Sequence, residues 1–192
     1  MKKLIAAILL AVTIITAAPQ AAVTAEASVK TEMTGAVANA ASTTKDKTYK
    51  IQLPNGKTTT IKGHYESKME SEIVSLLNTY RKSKNRGTLK TKTALINCAD
   101  VRARECSHTF SHTRPNNKKW YTANDATYGE NIAMGYKTAK TVMNAWKKSA
   151  SHNANMLKAG YKTVGVSVFA RQLTTKSGKT YYVYYSAQEF GY

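Results

Sequence analysis

Tyr128-Gly129-Glu130-Asn131-Ile132-Ala133 stands at the centre of the stretch from Phe110 to His152, and its reading governs the rest of the chain. It sets an acidic side chain in a Gly-Glu-Asn turn, with His112 well before it and His152 well after it. Two amphipathic segments precede this stretch and a long two-stranded β pattern follows. A polar cluster built here would sit where helices meet a sheet.

Outward from that centre, the periodicities alternate between helix and strand. Ser67 with Glu70 reads as a capping box, and Met69, Ile73, Leu76, Leu77 and Tyr80 follow at helical spacing until Gly87 stops the pattern. Leu95, Cys98, Ala99, Ala103 and Cys106 form a narrow face of small residues on a second helix, which permits close approach to another layer. Thr138 is the expected N-cap of a third, with Val142, Ala145, Trp146 and Ser149 on one side and Trp146 as a core anchor. A short helix through Asn155, Met156 and Leu157 is expected to end at Gly160. Val164, Val166 and Val168 then alternate as a strand, and Lys176-Ser177-Gly178-Lys179 turns the chain into a second strand from Thr180 to Gln188. The tyrosines at 181, 182, 184 and 185 read as sheet packing in preference to a base-stacking platform.

Upstream, Tyr49 to Leu53 and Thr58 to Ile61 flank Pro54-Asn55-Gly56-Lys57, a hairpin signal over residues 49–65. Two strands alone are marginal, so this ribbon either docks on the domain or frays. Residues 28–48 are Ala, Thr, Ser and Lys with few large apolar groups and read as a flexible linker. Residues 1–27 carry Lys2 and Lys3, an apolar run from Leu4 to Ile15 and an Ala25-Glu26-Ala27 cleavage pattern, which together predict an export signal. The run is short of the ~20 residues that span a bilayer, and no later segment is apolar enough to do so.

The 192 residues, 42% of them hydrophobic, suit one folded domain with extra material at an end. The formal charge is +18; residues 1–27 contribute Lys2, Lys3 and Glu26, a net +1, so a processed chain carries +17. Such a field draws the protein towards anionic cell-wall polymers, lipid headgroups or nucleic acid. The lysines are scattered through the chain, which favours non-specific adhesion over specific nucleic-acid recognition. Cys98 and Cys106 lie eight apart in one expected helix, which separates their Cα atoms by ~12 Å, beyond the ~7 Å a disulfide allows. Two free, buried thiols follow.

Few residues offer chemistry. His108 and His112 have the spacing of two ligands on a helix face, but Thr109 stands where a metalloprotease motif needs glutamate, and Pro115 puts His112 at or beyond the helix end. No nucleophile elbow, phosphate loop or repeated Cys-x-x-Cys pattern occurs. His112, Glu130 and His152 remain, a set that matches His₂Glu zinc sites. The plainer alternative is a hydrogen-bonded polar cluster that pins loops together.

Phe110-Ser111-His112-Thr113-Arg114-Pro115, Gly129 to Ala133, Ala145 to Ser149 ending at His152, Val164-Gly165-Val166 and Gln188-Glu189-Phe190-Gly191 resemble, in order, the bacterial branch of the CAP superfamily. That superfamily takes in cysteine-rich secretory proteins, antigen 5 and pathogenesis-related proteins. The resemblance runs from about Glu66 to Tyr192 and leaves out the linker and the hairpin. It implies an α+β fold, a three-layer α-β-α sandwich over residues 66–192. It also implies a cleft where two histidines and up to two acidic residues converge and which binds a divalent metal in some members. His112, Glu130 and His152 match three of those positions, with Asn131, Trp146 and Ser149 as structural residues around them. The fourth falls in Ser149-Ala150-Ser151, where there is no carboxylate. Family activities range over sterol and lipid binding, wall association, signalling and proteolysis, so a small apolar ligand is among those implied.

The expectation is therefore a secreted, basic binding protein at the cell envelope or outside the cell, with one divalent cation, zinc by its donor set, and no assigned catalytic residue. A metal-dependent hydrolase of peptide or cell-wall substrates is the rival. A non-specific polyanion binder is the third reading.

Overall fold

The computed structural model describes residues 45–192. The export signal expected at 1–27 and all but the last residues of the linker expected at 28–48 lie outside them. Six strands form one sheet: β1 (Lys47–Gln52), β2 (Thr58–Tyr65), β3 (Lys90–Thr91), β4 (Gly129–Met134), β5 (Thr163–Thr174) and β6 (Thr180–Gly191). Their order is β1-β2-β5-β6-β4, with β3 running parallel to the start of β5 and every other pairing antiparallel. Four helices cover the sheet: α1 (Ser67–Ser83), α2 (Thr93–His108), α3 (Ala139–Lys148) and α4 (Ala150–Leu157).

Strand alternation sorts the side chains into two cores. Val164, Val166 and Val168 of β5 meet Ile73 and Leu77 of α1, Val142 and Trp146 of α3 and Met156 of α4 on one face. Phe169, Tyr185, Ala187 and Ile132 meet Ala99, Ala103 and Cys106 of α2 on the other. The result is the three-layer α-β-α sandwich. The approach of α2 is close enough that a Cβ on Gly165 would overlap the backbone of Leu95 and Ile96, so only glycine fits that position of β5.

Several local expectations change in the folded chain. Glu130 is not in a turn: residues 129–134 form the edge strand β4, paired with β6 from Gly129↔Phe190 to Met134↔Tyr185. The capping box at Ser67 and Glu70 does not form, because Glu66 takes the N-cap position and the Glu70 carboxylate turns to the sheet. There its Oε1 accepts from the Val168 amide (2.9 Å) and the Ser167 hydroxyl (3.3 Å). This matters because β2 pairs with β5 at Phe169 to Arg171 and β3 at Thr163 and Val164, so Val168 lies in the gap between them. Glu70 supplies the acceptor that no strand provides. α1 ends at Asn85 (φ 54°), with Arg86 N–H to Arg81 O and Asn85 N–H to Lys82 O closing a Schellman motif two residues before Gly87. α4 likewise ends before Gly160, with Lys158 at its C-cap.

The hairpin docks. It begins at Lys47, extends to Tyr65, and adds β1 and β2 to the sheet through Gly63 to Tyr65 against β5. Buried His64 fastens it, with Nδ1 2.6 Å from Asp46 Oδ1 and Nε2 3.0 Å from Glu66 Oε1. Asp46 Oδ2 also accepts from Gln172 and Tyr182, so the start of β1 is tied to β5 and β6. Cys98 and Cys106 are free and buried, as helical spacing requires. Among the described residues no helix is long and apolar enough to cross a membrane.

Candidate functional site

β4 turns Glu130 towards the α2 layer and Asn131 towards the α1, α3 and α4 layer, so one dipeptide serves both faces of the sheet. Glu130 lies in an ion-pair network that is almost wholly buried. Arg102, from the middle of α2, donates Nε to Glu130 Oε2 at 2.5 Å and Nη2 to Oε1 at 3.3 Å, while its Nη1 reaches Glu105 Oε2 at 2.7 Å. Arg114 closes the other side of Glu105 at 2.8 Å. Arg102 Nη2 also donates to the Ser111 carbonyl at 2.7 Å, which anchors the segment that carries His112.

His112 lies beyond the end of α2, and its Nδ1 sits 2.6 Å from Glu130 Oε1. The His112 side chain is 55% exposed and the Glu130 side chain 1%, so Glu130 holds the ring from within while Nε2 is left for another partner. Burial alone would raise the Glu130 carboxyl, but the hydrogen bonds from His112 and Arg102 and the guanidinium charge outweigh it and hold the group below the usual range. His152 comes from α4. Burial, and then the charge of His112, hold it below the ordinary histidine range, so its imidazole is neutral and competent as a ligand at neutral pH.

The flanking residues hold these elements in place. Asn131 donates to the His152 carbonyl and to Gln188 Oε1, both at 3.1 Å, and Asn155 donates to the Glu130 carbonyl (3.2 Å) and to Asn131 Oδ1 (3.0 Å). α4 is thereby fastened to the outer side of β4. Trp146 is buried, with Nε1 3.4 Å from the Ile132 carbonyl. Ser149 is the shared residue between α3 and α4, its hydroxyl 3.3 Å from that of Ser151.

Sequence reasoning did not place Arg102 or Glu189 at the site. Glu189 sits directly across from Glu130 in the β4–β6 ladder, fully buried, with Oε2 accepting from Thr127 at 2.6 Å and Oε1 without a hydrogen-bond partner. Burial and the Glu130 charge push its carboxyl well above the usual range. A second carboxyl thus accompanies Glu130 from the sheet although the Ser149 to Ser151 segment has none. Only the strand register could have disclosed it.

Both Glu130 oxygens are engaged, and among the described residues no group of three or more His, Cys, Asp or Glu side chains is arranged to hold a metal ion. The two imidazoles are the remaining candidate donors, with Glu130 behind the His112 ring.

Fold and site together define an α-β-α sandwich domain whose polar centre lies at an edge strand between two layers. The model of the Cysteine-rich secretory protein family, CAP, matches residues 74–189, more than half of the chain, and the chain belongs to that family. The uncharacterized protein YkwD of Bacillus subtilis is 29% identical over 117 residues, which are 57% of this chain and 46% of that protein. The chain thus spans about half the length of this curated relative. An outer surface protein from Borrelia burgdorferi has a similar structure, with a TM-score of 0.51 and 21% identity over 67% of this chain and 97% of that one. An extracellular protein containing a SCP domain from Bacillus anthracis aligns with a TM-score of 0.50 and 18% identity over 71% and 46%. At such identities the likeness is one of fold. The docked hairpin precedes the family match.

Proposed function

We propose that this is an exported CAP-domain binding protein that acts at the cell envelope or outside the cell and takes a divalent cation, zinc by preference, on His112 and His152. The observation that carries this reading is the His112 Nδ1 to Glu130 Oε1 contact of 2.6 Å. A carboxylate behind one ring nitrogen fixes the tautomer and makes the other nitrogen a better donor. Glu130 acts from behind the ring, a change from the three-ligand set that the residue types suggest. When bound, the cation would supply a Lewis acid. The N-terminal export pattern and the strongly basic composition support the envelope setting.

With two protein ligands, affinity is modest and no proton acceptor is assigned to a hydrolytic role. Zinc titration calorimetry of the full chain and of a His112→Ala, His152→Ala variant tests the site. Wild type is expected to bind one zinc and the variant none. Equal binding by the two removes the site, and zinc-dependent turnover of peptides or wall fragments that the variant lacks replaces the binding reading with the hydrolase one.

A further inference from the structure

The acidic residues of this protein are unevenly placed. Residues 131–188 contain no Asp or Glu and nine Lys or Arg. That segment supplies α3 and α4, which pack beside α1 on one face of the sheet. On α1 the two acids, Glu70 and Glu72, lie in the first two turns, and Glu70 is committed to Val168. Tyr80 is eight residues beyond Glu72, ~12 Å along the axis. The far end of this helical layer is therefore without carboxylates.

Tyr80 organises what stands there. Its hydroxyl donates to Asn153 Oδ1 of α4 at 3.0 Å, which fixes the ring between the helices. Lys147 Nζ, from the last turn of α3, lies 4.6 Å from the ring centroid, and Lys84 Nζ, from the C-cap of α1, lies 6.0 Å from it. Helix dipoles account for lysines in the last turn of a helix. The ring face draws two ammonium groups to one place, where no carboxylate of these helices balances them. None of the ion pairs among the described residues involves a lysine. Lys82 and Lys148, both exposed, lie beside the pair in sequence and add to the same field.

We infer that Lys84, Lys147 and Tyr80 form a docking point for phosphate groups of an anionic envelope polymer, in line with the adhesion suggested by the net charge, on which this inference rests. The pair suits phosphate because an ammonium is a compact point charge with three rotatable donors, which can meet the oxygens of a tetrahedral phosphate from any side.

The test is binding of poly(glycerol phosphate) to the full chain across a salt series. It compares wild type, a Lys84→Gln, Lys147→Gln variant, and a Lys50→Gln, Lys57→Gln variant that removes the same charge from the hairpin at the opposite sheet edge. The first variant is expected to lose about tenfold in affinity and to flatten the slope of log K against log salt by about 1.5, the share of two phosphate contacts. The hairpin variant is expected to stay near wild type. Equal losses in the two variants overturn the docking point but leave diffuse adhesion standing, whereas no binding by wild type overturns both. Equal affinity for poly-glutamate at matched charge overturns the assignment to phosphate.

Discussion

Glu70 shows how one side chain can link pH to the sheet. Burial pushes its carboxyl up to about 7 against the lowering effect of the Val168 amide, with Asp100 adding to the rise. A folded-state value above the ordinary 4.5 means that the folded protein binds this proton more tightly than the unfolded chain. The stabilising contribution is present below about pH 4.5 and is lost as pH rises through about 7, by at most about 3 kcal/mol. Glu70→Gln keeps an acceptor for Val168 but cannot titrate. Urea unfolding between pH 5 and 8 is expected to show a falling stability in wild type that is absent, for this component, in the variant; parallel profiles would refute the assignment. Arg102 makes the opposite case. Arg102→Met leaves Glu130 and Glu105 buried without their shared cation, at a cost of about 3 to 5 kcal/mol. A loss below about 1 kcal/mol in the same urea assay would show that the network relaxes without it.

Between elements, the decisive contact is α2 on β5. The small residues Ala99, Ala103 and Cys106 and the absent side chain at Gly165 allow the helix to lie against the sheet, which places Arg102 within reach of Glu130. Gly165→Ala must push α2 outwards or shift β5, and overpacking of this kind costs about 1 to 3 kcal/mol or more. A thermal melt is expected to show that loss together with weaker zinc binding, because the shift passes through Arg102 to Glu130 and His112. Lost stability with unchanged zinc affinity would uncouple the helix from the site. The hairpin is an element of a second kind. Its own strands are marginal, and it is ordered by Gly63 to Tyr65 on β5 and by the carboxylates of Asp46 and Glu66 on His64.

For the molecule as a whole, the proposed adhesion rests on charge. A chain of +18 with its acids gathered outside residues 131–188 presents one helical layer as a cationic surface. Exposed charges are screened beyond about 10 Å at 0.1 M salt. Retention on isolated cell walls is therefore expected to fall steadily as sodium chloride is raised from low to high concentration, and retention independent of salt would remove the electrostatic account of adhesion. The proposed cation site is a separate matter: salt release should leave any zinc affinity there largely intact, since His112 and Glu130 meet in a network shielded from solvent on its inner side.

Local patterns carried much of this protein into view. The core stripe of α1, the small-residue face of α2, the Thr138 cap and the alternation of β5 depend on neighbours within a few residues, so periodicity and capping chemistry disclose them. The free state of Cys98 and Cys106 follows from helix rise alone. The ordered motifs around His112, Glu130 and His152 were likewise legible as a family resemblance. What the linear pattern left undetermined was register and reach. Glu189 faces Glu130 because β4 and β6 pair in one of several possible alignments, and Arg102 enters the site because α2 crosses the sheet at Gly165. Glu70 abandons a local cap for a β5 amide 98 residues away in sequence. That last choice sets a nearby hydrogen bond against a distant one, and burial decided it, since an unpaired amide inside the fold costs more than a cap at a solvated helix end.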